Sequence, residues 1–280
     1  MKRITFLVLS IAGLCFTAAA QADIHKIDFK NFTYQPYCAG EDTKSIHVKN
    51  GEYSKATQED GFVDHFYFNI MDVTYGDVTG DGEDDAMALS VCNTGGTGNF
   101  TEGFVYTMKT GKPALLARVP GGDRADGGLR SITVENGLLV VEYNDPEKAA
   151  GACCPEGVAI QKMRVSGSKV IDVGSPIKRE LYPKERIAFT KGTNGKTWTI
   201  TIKPNDRKRY MLGARAGQTM AVSFTGEPDV DLRLLEDESA EVTQGQHRLD
   251  AVLKRSGDYT LEVSNYNDKP VTVSLSVRIR

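Results

Sequence analysis

Val271-Thr272-Val273-Ser274-Leu275-Ser276-Val277-Arg278-Ile279 carries an aliphatic residue at every odd position and a polar one at every even position. Successive side chains of an extended chain leave on opposite sides, so a strict period of two means a strand with one buried and one wet face. The same alternation runs outward through the carboxyl-terminal third, in Tyr259, Leu261 and Val263, in Met220, Val222 and Phe224, and in Trp198, Ile200 and Ile202. Strands recurring every roughly 8 to 12 residues, with Gly, Asn and Asp between them, predict an antiparallel β-sandwich or jelly roll over residues 185–280.

The amino-terminal half reads the same way. Phe66, Phe68 and Ile70 recur at every second position, as do Phe104, Tyr106 and Met108, and Thr110-Gly111-Lys112-Pro113 turns the chain into Ala114–Val119. Ile132 and Val134 lead to Glu135-Asn136-Gly137, followed by Leu139, Val141 and Tyr143. Asn-Gly between alternating apolar runs is the strongest short hairpin signal, because both residues tolerate positive φ. Val158, Ile160 and Val165-Ser166-Gly167-Ser168-Lys169-Val170 predict a further hairpin. No segment has a convincing helical period, so the chain is expected to be all-β with two β-rich domains. Ser175–Lys184 contains two prolines, four charges and no period, which sets the expected boundaries: residues 23–175, a linker at 176–184, and residues 185–280.

Met1-Lys2-Arg3, an apolar run from Ile4 to Phe16, and the small-residue site Ala20-Gln21-Ala22 have the form of a secretory signal peptide over residues 1–22. Cys15 follows Leu14, where lipidation needs a small residue, and is assigned to the removed segment. Later stretches fall short of transmembrane length, so a soluble periplasmic or secreted protein is expected. Removing Lys2 and Arg3 takes the 34 basic residues to 32 against 37 acidic ones, a formal charge of −5. That balance argues against a nucleic-acid partner.

Four cysteines remain: Cys38, Cys92, Cys153 and Cys154. An even number in an oxidising compartment implies two disulfides, with three possible pairings. If Cys153 and Cys154 are neighbours in a strand they face opposite ways and bond separately to Cys38 and Cys92; a bridge between the two neighbours is the alternative. Cys-x-x-Cys is absent, and His25, His47, His65 and His247 are scattered singly, a poor pattern for a redox or zinc centre.

Asp77-Val78-Thr79-Gly80-Asp81-Gly82-Glu83-Asp84-Asp85 is the sharpest local pattern. Oxygen ligands on alternate residues around a glycine turn are how a chain wraps calcium. Asp77, Thr79, Asp81, Glu83 through its carbonyl, and Asp85 would supply them. The stretch resembles the Asp-rich loops of FG-GAP repeats, although Thr79 stands where an acid is usual and Ala88 replaces the bidentate glutamate. A tight turn with solvated carboxylates is the other reading. The glycine-rich stretches Asn93–Gly98 and Gly121–Gly128 lack the following helix and Lys-Ser/Thr pair of a phosphate cradle and are read as hairpin or bulge connections. Asp123, Arg124 and Asp126, with Glu102 and Glu156, are the carboxylates a hydrolase reading would use. Ser90, Ser131 and Ser166 lack a nucleophile-elbow context.

Phe189-Thr190-Lys191-Gly192, Arg209–Met220 and Ser256-Gly257-Asp258-Tyr259-Thr260-Leu261-Glu262-Val263 resemble the periplasmic inhibitors of g-type lysozyme and the related bacterial pre-peptidase C-terminal β-sandwiches. The resemblance covers the last third of the chain. Residues 23–175 resemble a domain found in bacterial secreted proteins, which implies no mechanism. The inhibitor resemblance implies a non-catalytic protein that occludes a muramidase cleft. Ser256, Gly257 and Tyr259 would enter the cleft on an exposed loop, with Lys254 and Arg255 steering toward its acidic groups. The competing reading of the same residues is a turn entering a strand, with Tyr259 beginning an inward row. A calcium-stabilised adhesion or glycan-binding module and a carboxylate hydrolase are the alternatives to inhibition.

Overall fold

The computed structural model describes residues 23–39, 45–59, 61–226 and 230–280. The signal peptide expected over residues 1–22, with Cys15, lies outside them. The chain is all-β and divides into two compact units, the first ending at Lys178 and the second running from Arg179 to Arg280. Helical residues among those described are confined to single 3-10 turns at Ile24–Lys26, Tyr37–Ala39 and Asp237–Ser239.

In the first unit β1 (Thr33–Tyr34) pairs with β2 (Ile46–His47). An antiparallel five-stranded meander follows in sequence order: β3 (Glu52–Glu59), β4 (Phe62–Gly76), β5 (Asp85–Asn93), β6 (Phe100–Lys109) and β7 (Lys112–Asp123). A four-stranded sheet is made by β8 (Leu129–Glu135), β9 (Leu138–Asn144), β10 (Gly157–Ser166) and β11 (Lys169–Glu180). The predicted hairpin closes β8 onto β9 with Asn136 at φ 52° and Gly137 at φ 76°, the left-handed pair such a turn requires.

Strand β5 is the middle of the meander and is covered on both sides, so its residues from Asp85 to Ser90 are all buried. Alternation divides it between two clusters. Ala86, Ala88 and Cys92 join Phe68, Phe104 and Tyr106 under the amino-terminal segment, which contributes Ile24, Phe29, Tyr34, Ile46 and Val48. Met87 and Leu89 face the other way, onto Val105, Val119, Ile132, Leu139 and Val141. The first cluster is aromatic: Tyr34 lies 5.2 Å from Phe104 and 5.7 Å from Phe68 between ring centroids. Its hydroxyl donates to the Phe29 carbonyl at 2.7 Å, so its one polar atom is satisfied in the core.

The expected linker is mostly strand. Pro176 has no amide hydrogen to give, but β11 is the edge of its sheet, where a missing donor need not break the ladder. The strand therefore runs through both the expected boundary and Pro176 to Glu180, leaving residues 181–183 between it and β12.

The second unit is a sandwich. Strands β12 (Lys184–Arg186), β14 (Asp206–Ala214), β16 (Val230–Leu234) and β19 (Gly257–Asn265) form one sheet in the order β12-β14-β19-β16. Strands β13 (Gly195–Ile202), β15 (Thr219–Thr225), β17 (Ala240–Gly245), β18 (Arg248–Leu253) and β20 (Val271–Ile279) form the other, in the order β13-β20-β15-β18-β17. Its pairings are antiparallel except that of β12 with β14. The odd residues of β20 are buried, as its sequence predicts, and they pack with Met220, Val222, Leu249, Tyr210, Leu232 and Leu261 into one continuous core. Each such side chain contributes roughly 1.5–3 kcal/mol by leaving water.

Candidate functional site

The turn between β18 and β19 carries the residues expected to bind. Lys254, Arg255, Ser256, Gly257 and Asp258 are exposed, and Tyr259 is 0% exposed. Tyr259 therefore does not enter a cleft: its ring begins the inward row with Leu261 and Val263. The cause is the period of β19, which puts Tyr259 opposite Leu212 and on the core side of the sheet. The phenol instead holds the turn from beneath. Its oxygen accepts from the Arg255 amide at 3.2 Å and lies 2.9 Å from the Arg255 carbonyl and 3.1 Å from the Ser239 carbonyl, the acceptors for its proton.

The exposed residues are also fixed. The Arg255 Nε donates to Ser239 Oγ at 3.1 Å and one terminal nitrogen to the Asp258 carbonyl at 3.2 Å, with the guanidinium 5.1 Å from the Tyr259 ring centre. Lys254 Nζ lies 3.3 Å from Glu241, and Arg186 pairs with Asp258 at 2.5 Å. Ser256 Oγ accepts from the Ala216 amide at 3.0 Å, which leaves its own proton free for another acceptor. Gly257 has φ +139°, a backbone conformation that favours glycine, and a Cβ there would stand 2.9 Å from an Arg255 nitrogen.

The acidic loop between β4 and β5 is organised around its own amides. Asp77 accepts from Gly80 N at 2.6 Å and Gly82 N at 2.9 Å, and Asp85, 1% exposed, accepts from Val78 N at 3.0 Å and Thr79 N at 3.1 Å. Asp81 accepts from Glu83 N at 3.0 Å, and Asp84 pairs with His25 at 2.9 Å. The Gly82 and Gly80 amides hold the Asp77 carboxyl below its ordinary pKa. Among the described residues no three His, Cys, Asp or Glu side chains converge as a metal-ion group.

The expected disulfide pairing is corrected. Cys38 bonds to Cys92, and Cys153 bonds to its neighbour Cys154. The opposite-face argument needed these two residues in a strand, and they lie in the irregular connection between β9 and β10. The first bridge ties the 3-10 turn at Tyr37–Ala39 to β5.

Of the carboxylates named for hydrolysis, Asp123 and Asp126 share one turn, the Asp126 amide donating to the Asp123 carbonyl at 2.7 Å, while Glu102 is engaged elsewhere. Glu102 is buried on β6, where it pairs with Arg118 and accepts from Tyr37 N at 3.0 Å. Burial pushes its carboxyl up, against the pull of the Tyr37 amide and Arg118. Asp123 is held by Arg124 at 3.0 Å and by Asn99 N at 2.7 Å, and the Arg124 contact lowers its pKa. Sequence reasoning missed the Arg118–Glu102 pair and a second buried pair, Arg209–Glu262, at 2.6 Å. The second was detectable, since Arg207 and Arg209 alternate with core residues on β14 and Glu262 alternates on β19.

No family model matches the chain, and neither does any curated protein. Solved structures do. The chain is similar to a periplasmic inhibitor of g-type lysozyme from Aeromonas hydrophila, at 24% identity over 35% of this chain and 96% of that one, TM-score 0.30. It is similar to the corresponding inhibitor from Salmonella Typhimurium at 25% identity over 35% and 97%, TM-score 0.29. The pre-peptidase C-terminal domain of a Bacillus anthracis collagenase gives 20% identity over 35% and 96%, TM-score 0.27.

Proposed function

We propose that this chain is an exported, non-catalytic binding protein of the periplasm whose second unit inhibits a g-type lysozyme by occluding its cleft. The observation that carries the reading is the turn Lys254–Asp258, which is exposed along its whole length yet fixed from below by Tyr259 and from the side by Ser239 and Ala216. A loop already held in one conformation loses little entropy when it docks, and this is how rigid inhibitory loops gain affinity. Its chemistry suits a muramidase cleft, where carboxylates act on the glycan. The Ser256 proton is available to a carboxylate, and the cations of Lys254 and Arg255 favour approach to an acidic surface. Tyr259 acts through the turn as a positioning residue and makes no contact with the target.

The test is turnover of peptidoglycan by g-type lysozyme in the presence of the mature protein, beside Arg255→Glu and Ser256→Ala variants. Inhibition by the wild type and at least tenfold weaker inhibition by Arg255→Glu are expected, with a small fall in melting temperature from the lost bonds to Ser239 and Asp258. A wild-type protein that leaves the enzyme fully active would sink the reading.

A further inference from the structure

A different part of the molecule, unrelated to the turn above, has the chemistry of a ligand site. The face of the five-stranded sheet that carries Met87, Leu89, Val105 and Val119 is buried with residues of β8 and β9. Farther along β4 and β5, the same face emerges into solvent and bears Tyr67, paired with Asn93, and Asn69, paired with Val91. Together with His65 and Asn99 these residues line an open groove of about 450 Å³. That lies within the range of small-ligand clefts, roughly 300–1,000 Å³.

The groove has a fixed wall. Asn93 Nδ2 donates to the carbonyls of Gly96 at 3.1 Å and Gly98 at 2.8 Å and to Asn99 Oδ1 at 3.1 Å, while its Oδ1 accepts from Gly95 N at 2.9 Å. Gly95 stands at φ +98°, and a Cβ there would strike Asp64. The glycine-rich stretch rejected above as a phosphate cradle is thus a loop locked over the end of the sheet by one amide side chain.

What the groove offers a ligand is aromatic surface and uncommitted neutral polar groups. Tyr67 is 44% exposed, and its ring lies 6.0 Å from that of His65 at an interplanar angle of 14°. The Tyr67 hydroxyl, the Asn69 amide and the Asn99 Nδ2 group have no hydrogen-bond partner among the described residues. No lysine, arginine, aspartate or glutamate is among the described residues that line the groove. Asp64, whose carboxylate lies against Gly95, already accepts from the His65 amide, and an anionic ligand would find no cation among the lining residues. A nonpolar one would leave the amides unpaired, at a cost of about 1–3 kcal/mol for each one desolvated.

We infer that this groove binds a neutral oligosaccharide. A pyranose has an apolar C–H face that can lie on the Tyr67 ring and a rim of hydroxyls that both donate and accept. The Asn69 and Asn99 side chains present amide groups, the complement to such hydroxyls.

Titration of the isotope-labelled mature protein with chitotetraose, cellotetraose and maltotetraose, followed by NMR, tests this. At least one of the three is expected to shift the backbone signals of His65–Asn69 and Asn93–Asn99. Tyr67→Ala should weaken that binding at least tenfold without changing the melting temperature, while Tyr266→Ala, at a more exposed tyrosine of the second unit, should leave it unchanged. The inference fails if none of the three perturbs these signals at tens of millimolar, if Tyr67→Ala binds as well as the wild type, or if tetragalacturonate binds more tightly than all of them. Lysozyme inhibition plays no part in the readout, so either proposal can fall without the other.

Discussion

The two units reach stability by different routes. The second closes around one continuous core and contains no cysteine. The first splits its apolar residues between two clusters, and the amino-terminal segment that covers one of them has, among its described residues, only the two-residue strands β1 and β2. A segment with so few ladder hydrogen bonds loses much entropy on docking, and its aromatic rings and the Cys38–Cys92 bridge offset that loss. A covalent tie is thus found where backbone pairing is thin, and is absent where two sheets face one another.

Breaking the tie should expose the difference. The bridge joins residues 54 apart, and loop-closure entropy for that span is about 4 kcal/mol. Cys38→Ser together with Cys92→Ser is expected to lower the stability of the first unit by about that amount and leave the second untouched. The single tryptophan, Trp198, belongs to the second unit, so its fluorescence reports that unit's unfolding in urea while circular dichroism reports both. A Trp198 transition that moves with the bridge would show that the units do not unfold independently. The Cys153–Cys154 bridge closes no loop, and its removal should be nearly silent in the same experiment.

The converse perturbation is Tyr259→Phe. It keeps the ring in the second unit's core and removes the hydroxyl, leaving the Arg255 amide without its acceptor. A loss of about 1–2 kcal/mol is expected in the Trp198 transition, with none in the first unit. If the turn is the inhibitory element, this variant should also inhibit less well, through faster dissociation, although the substituted atom touches nothing outside the protein.

Why one unit was more legible than the other follows from the same contrast. Alternation in Val271–Ile279 announces a strand covered on one side, and the structure buries its odd residues. Strand β5 is covered on both sides, so Asp85–Ser90 reads as a continuous run with no face to assign. The covering residues Ile24, Phe29, Tyr34, Ile46 and Val48 have no period, because isolated anchors rather than a face hold that segment down. Pro176 suggested a break because sequence does not reveal which strand lies at an edge. Ser256-Gly257-Asp258-Tyr259 allowed two readings, and only the pairing of Tyr259 with Leu212 decides that the phenol points inward. The groove at Tyr67 was invisible for a related reason: its neighbours come from β4, β5 and a loop, and they meet only once the register is set.

The smallest expected effect is on acid stability, and it tests whether the acidic loop is complete without an ion. Three carboxylates among the described residues of the first unit have depressed pKa values: Asp28 through the Asn31 amide, Asp77 through Gly82 and Gly80, and Asp123 through Arg124. Among the described residues of the second unit, Asp250 is lowered by its hydrogen bonds from Arg248. A carboxyl whose folded pKa lies below its unfolded value stabilises the fold above that unfolded value, about 4, and loses the contribution as pH falls through the folded one. The first unit should therefore lose more stability than the second as pH falls below about 4. Glu102, pushed up by burial, works in the opposite sense, favouring the fold as it gains its proton. Asp77→Asn should flatten the first unit's acid limb, since the amide cannot titrate, and lower its stability at neutral pH by weakening the bonds from Gly80 and Gly82. With Asp77 and Asp85 already accepting from loop amides, millimolar calcium should leave the wild-type limb where it is; a limb that moves to lower pH with calcium, and not in Asp77→Asn, would make this loop an ion site after all.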